Sequence, residues 1–118
     1  MTLILTKDIL RASYALLVVT PPFIKWNLPD PEDVQFNVTR GKWYYGDWNR
    51  KRGKPHCIRV SSGGNGQLTT LNETMAHEMI HLHIHQANIR DTSDHGKVFR
   101  RYAAQVCKVH TCFDPKRF

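Results

Sequence analysis

Residues 71–87 constrain the fold more than any other stretch of this chain, because they are apolar on two sides at once. At about 100° per residue, Leu71, Met75, Met79 and Leu82 share one arc of a helix, and Ala76, Ile80, Ile84 and Ala87 share a second. A helix with two apolar arcs needs cover on both, so it packs between two layers. Thr70-Leu71-Asn72-Glu73 reads as a capping box and sets the expected helix start at Leu71. Between the arcs runs one polar face with Thr74, His77, Glu78, His81 and His85. A polar stripe on an otherwise enclosed helix must border a cleft.

The remaining elements follow from shorter signals. Thr6 can cap a first helix through Val18, with Ile9, Leu10, Ala12, Leu16 and Leu17 as its apolar face, and Pro21-Pro22 ends it. Residues 34–39 alternate apolar and polar, as a half-buried strand does. Trp43-Tyr44-Tyr45 opens a second strand and His56 to Val60 makes a third, with Arg50 to Gly53 as a basic loop between them. Three strands in such quick succession predict a three-stranded antiparallel meander. Asn88 to Asp94 reverses the chain, and a last helix from Gly96 to Val109 buries Val98, Phe99, Tyr102, Ala103 and Val106. The expected class is α+β. With 118 residues, 41% of them hydrophobic, the chain suits one domain over residues 1–118.

Composition narrows the setting. No uncharged apolar run reaches the roughly 18 residues that span a bilayer. Lys7, Asp8 and Arg11 interrupt the first apolar stretch, unlike a signal peptide. Cys57, Cys107 and Cys112 are an odd number in a chain that needs no staples. These features predict an untargeted, cytoplasmic domain with free thiols and no membrane partner.

His77-Glu78-Met79-Ile80-His81 is an HExxH motif. Histidines four apart lie on one helix face, about 6 Å apart along the axis, so both can reach one ion. Zinc accepts neutral imidazole and keeps a solvent position open. Glu78, beside that position, can take a proton from a zinc-bound water and so activate it for attack on a peptide carbonyl. Two residues compete as third ligand. His85 would lie about 12 Å from His77 along a straight helix, too far for one ion. His95, after the reversal, can fold back over His77 and His81 and is the favoured candidate. His83 and His85 are expected as surface or supporting groups, and Tyr44, Tyr45 and Tyr102 are candidate oxyanion stabilisers.

These residues resemble the SprT-like zinc metallopeptidases, which include Spartan-type DNA–protein crosslink proteases. The resemblance rests on the Met75-to-His81 segment, on His95-Gly96-Lys97-Val98-Phe99, and on Lys54 to Val60 leading into the helix. It covers roughly residues 34–110, and the compact form resembles stand-alone bacterial or phage versions. It implies a small zincin-like domain, one Zn2+ on His77, His81 and His95, Glu78 as general base, and cleavage of DNA-bound proteins. Many members continue into a four-ligand zinc ribbon, which Cys107 and Cys112 alone cannot form.

Charge suggests a second partner. Residues 40–59 carry seven basic side chains and one acidic, interleaved with Trp43, Tyr44, Tyr45 and Trp48. Cations neutralise phosphates and aromatic rings stack on unpaired bases. Arg40, Lys42, Trp43, Trp48, Arg50, Lys51, Arg52 and Lys54 are therefore candidate nucleic-acid contacts, with single-stranded DNA favoured. A second basic group lies on the last helix: Lys97, Arg100, Arg101 and Lys108. The leading expectation is a zinc metalloendopeptidase acting on a protein substrate. The alternative is a non-catalytic nucleic-acid-binding module in which zinc is structural.

Overall fold

Thr6 starts the first helix: its hydroxyl accepts the Ile9 amide hydrogen at 3.1 Å and opens α1, Lys7–Val18. The computed structural model describes residues 3–41 and 44–118. The buried face of α1 is Leu10, Ser13, Tyr14 and Leu17, a correction to the expected stripe, since Ala12 and Leu16 face solvent. Two polar groups can turn inward because each finds a partner. Ser13 donates to Asn72 Oδ1 at 2.7 Å, and the Tyr14 hydroxyl donates to the Pro29 carbonyl at 2.6 Å.

Three strands follow: β1, Gln35–Thr39; β2, Gly46–Asn49; and β3, Cys57–Ser61. Their spatial order is β1-β3-β2. β2 runs antiparallel to β3, but β1 pairs with β3 in parallel, Phe36 opposite Ile58 and Val38 opposite Val60. The sheet is mixed, which corrects the expected antiparallel meander. Burial explains the order. In β3, Cys57, Ile58, Val60 and Ser61 are all buried, so it takes the centre, while Gly46-Asp47-Trp48-Asn49 is half-buried throughout and belongs at an edge. Tyr44 and Tyr45 precede β2 rather than opening it, and Trp43 lies outside the described residues.

α2, Leu68–Gln86, starts earlier than the Thr70–Glu73 box implied, with Gln67 at its N-cap and no side-chain cap bond. Glu73 does not reach back to its own N-terminus because distant groups claim it: the Asp114 amide donates to it at 2.6 Å, and Arg117 Nε lies 3.0 Å away. The two-sided burial of α2 holds as far as Leu82; a correction comes at its end, where Ile84 is half-buried and Ala87, the C-cap, is exposed because the helix stops at Gln86. Leu71, Met75, Ala76, Met79, Ile80 and Leu82 are fully buried, and the helix touches β2 and β3 as well as α1 and α3, Lys97–Val109. Among the described residues, no helix is long and apolar enough to cross a membrane.

Candidate metal centre

The site is built on the polar stripe of α2 and completed by the turn that follows it. His77 and His81 stand one turn apart. The helix then ends in a Schellman arrangement: Asn88 takes φ 56°, its amide donates to His85 O at 3.0 Å, and the Ile89 amide donates to Ile84 O at 3.0 Å. This reverses the chain and returns His95. His95 Nε2 lies 3.0 Å from His77 Nε2 and 3.2 Å from His81 Nε2. The three rings offer nitrogen atoms within 4.8 Å of one another, a group that could hold a metal ion. Phe99, fully buried on α3, floors all three, with ring centroids 4.8, 4.6 and 4.8 Å from His77, His81 and His95.

Asp91 anchors the returning turn. Its carboxylate accepts the amides of Thr92 at 2.7 Å, Val98 at 3.2 Å and Phe99 at 2.8 Å, so it caps α3 from five residues upstream of the N-cap, Gly96. Gly96 is required there, because a Cβ would collide with the Asp91 carboxylate and the Thr92 hydroxyl. His95 is the residue held between these two fixtures.

Electrostatics suit a ligand set. Burial, reinforced by His81 and His95, lowers His77 to about 3, and burial with His95 lowers His81 to about 4. Both rings are therefore neutral donors at ordinary pH. Glu78 is 4% exposed, and burial, then Asp47, pushes its carboxyl up to about 8. It faces Gly46 on the edge strand, where a Cβ would sit 2.7 Å from the Arg59 carbonyl and 2.9 Å from Thr74 Cγ2. A bare backbone is what lets β2 lie this close over α2. Two open cavities meet at His77 and Glu78, one of about 320 Å³ on the His81–His95 side and one of about 230 Å³ toward Tyr45.

The other histidines stand apart. His85 is exposed beyond the cluster, its ring centroid 4.7 Å from that of Trp48. His83, expected near the surface or in support, is buried and stacked on Trp26 at 4.4 Å. His56 is buried and its Nδ1 accepts the Trp48 indole N–H at 3.1 Å. Tyr102 packs on Trp26 and His83, leaving Tyr44 and Tyr45 as the tyrosines on the cleft among the described residues.

The basic block divides. Lys42 and Trp43 lie outside the described residues. Arg40, Arg50, Lys51, Arg52 and Lys54 are exposed, but Trp48 turns inward toward α2, away from them. Arg50, Lys51, Lys54 and Arg59, with Asn37 and Asn49, line a cavity of about 620 Å³ on the sheet face opposite α2. Gly46, Asp91 and Arg117 are site residues that sequence reasoning passed over. Only Gly46 carried a local signal, an isolated glycine before a strand-like run.

Three converging imidazoles and a neighbouring buried carboxyl, under an edge strand, give an α+β protein with a histidine group that could hold a metal ion. Comparison with protein families matches residues 24–117 to the SprT-like family, and the chain belongs to that family. No curated protein matches the chain.

Proposed function

We propose that the chain is a zinc-dependent endopeptidase acting on DNA-associated proteins, with His77, His81 and His95 as the zinc ligands. The observation that carries this reading is the meeting of three imidazoles within 4.8 Å beside the carboxyl of Glu78 in an open cleft. Membership of a family generally linked to zinc metallopeptidases supports it. The donor set fits zinc, since three protein nitrogens leave a further position free. Zinc bound there supplies Lewis-acid polarisation of the scissile carbonyl and acidifies a water.

The protein's own groups do the rest. Glu78 takes a proton from the attacking water at its carboxylate and returns it to the leaving amine. Burial raises the Glu78 carboxyl to about 8 in the metal-free chain, and a cation held by the three histidines would favour the carboxylate form that takes this proton. The free edge of β2 accepts an extended substrate backbone as an added strand, and Gly46 keeps that strand close above Glu78. The cavity with Arg50, Lys51, Lys54 and Arg59 is the proposed contact for DNA phosphates. His85 links this loop to the cleft, lining one cavity with Arg50 to Gly53 and another with Trp48, His81 and Asp94.

The test is proteolysis of a DNA-binding protein by the zinc-loaded chain without DNA, with single-stranded DNA and with duplex. The expected result is cleavage that rises with DNA and falls at least a hundredfold in Glu78→Gln, which keeps its zinc. Cleavage indifferent to DNA would leave a general peptidase. DNA binding with no cleavage would make the chain a binding module with structural zinc.

A further inference from the structure

The segment after α3 returns to the cleft. Phe113 is buried and stacks on Phe118, whose ring lies 5.9 Å from that of His77. Between them Asp114 and Arg117 bind Glu73, which sits one helical turn before His77 and is 5% exposed. The Arg117 guanidinium lies 4.2 Å from the Tyr45 ring centroid. Two contacts hold this side chain: a buried carboxylate on one side and an aromatic face beneath it.

From this arrangement we propose that Arg117 determines substrate specificity: the cavity of about 230 Å³ on the Tyr45 side is a side-chain pocket that selects a carboxylate. The proposal rests on the peptidase reading and deepens it. The pocket shares His77 and Glu78 with the metal side, so whatever fills it belongs to a residue next to the bond under attack. Tyr44, Tyr45, Gly46, Thr74 and Arg117 line the rest, and among these described residues Arg117 is the one cation. Glu73 Oε1 lies 3.0 Å from Nε as an ion pair, without a hydrogen bond to that buried nitrogen among the described residues. The two terminal nitrogens form the edge of the fork that takes a carboxylate in two parallel bonds. The volume admits one medium side chain, and the stack on Tyr45 holds the guanidinium before the substrate arrives, so little rotamer freedom is lost on binding.

The test separates binding from turnover. Fluorescent hexapeptides of alanine with a single Glu, Gln, Leu or Lys scanned through the sequence are titrated against the zinc-loaded Glu78→Gln chain, and their cleavage is followed with the unsubstituted chain. The Glu peptide is expected to bind roughly tenfold more tightly than the Leu peptide at one position beside the scissile bond. Arg117→Met should remove that preference while leaving Leu-peptide affinity and zinc affinity in chelator competition unchanged. Glu73→Gln, which frees the Arg117 charge and keeps an acceptor for Asp114, should widen it. Equal binding of all four peptides, or a preference that survives Arg117→Met, overturns the assignment. Acid-selective binding with no turnover would sink the peptidase reading and leave the pocket; turnover without acid preference would do the reverse.

Discussion

His95 and His85 show what a single side chain's position decides. They are ten residues apart in sequence and share a chemistry, yet one sits 3.0 Å from His77 Nε2 and the other lies against Trp48. His95→Ala is expected to weaken zinc binding at least a hundredfold in chelator competition, while His85→Ala leaves it within about twofold. His56 makes a separate prediction about pH. Burial, then Arg50, holds its folded-state value at about 4, below the ordinary 6.5. The unfolded chain therefore takes up a proton first, so stability is full above about pH 6.5 and is lost as pH falls toward 4. His56→Gln should remove part of that loss, on the order of 1 kcal/mol or roughly 4 °C in Tm at pH 5, read from thermal melts of the two metal-free chains. The HExxH residues were legible because their spacing is local. Arg117 was not, because nothing near it in sequence refers to the cleft.

Among the elements, the turn between α2 and α3 carries the most consequence per residue. Asp91 spends its carboxylate on the Thr92, Val98 and Phe99 amides, and Gly96 makes room for it. Asp91→Ala should fray the first turn of α3 and lower zinc affinity roughly tenfold through His95. A double-mutant cycle checks the route, since the Asp91 effect should vanish in a His95→Ala background. Helix existence and the burial of both α2 arcs up to Leu82 could be read from periodicity, but not the exposure of Ala87 at its end. The start of α2 could not, because Glu73 is drawn off by Asp114 and Arg117 rather than closing its own N-terminus. The face of α1 misled for a related reason: Ser13 and Tyr14 are polar enough to read as exposed, and partners on other elements bring them inside.

For the whole molecule, the candidate centre joins α2, the returning turn and α3 through one buried ring, Phe99. Bound metal should therefore stabilise the fold and not merely occupy it. At a free zinc concentration about 100 times Kd the gain is about 2.7 kcal/mol, so chelation should lower Tm by roughly 11 °C, and His95→Ala should flatten that response. The amino-acid sequence by itself determined the two-sided helix, its histidine stripe, the reversal after it and the alternating strand at 35–39. Each depends on residues within a few turns of one another, where a period of 3.6 or 2 is enough. Only the tertiary structure decided that β1 pairs in parallel with a central β3, that Gly46 lies over Glu78, and that Arg117 closes the cleft. Those outcomes depend on which surfaces bury each other across separations such as the 41 residues between Glu73 and Asp114, and no local pattern encodes that competition.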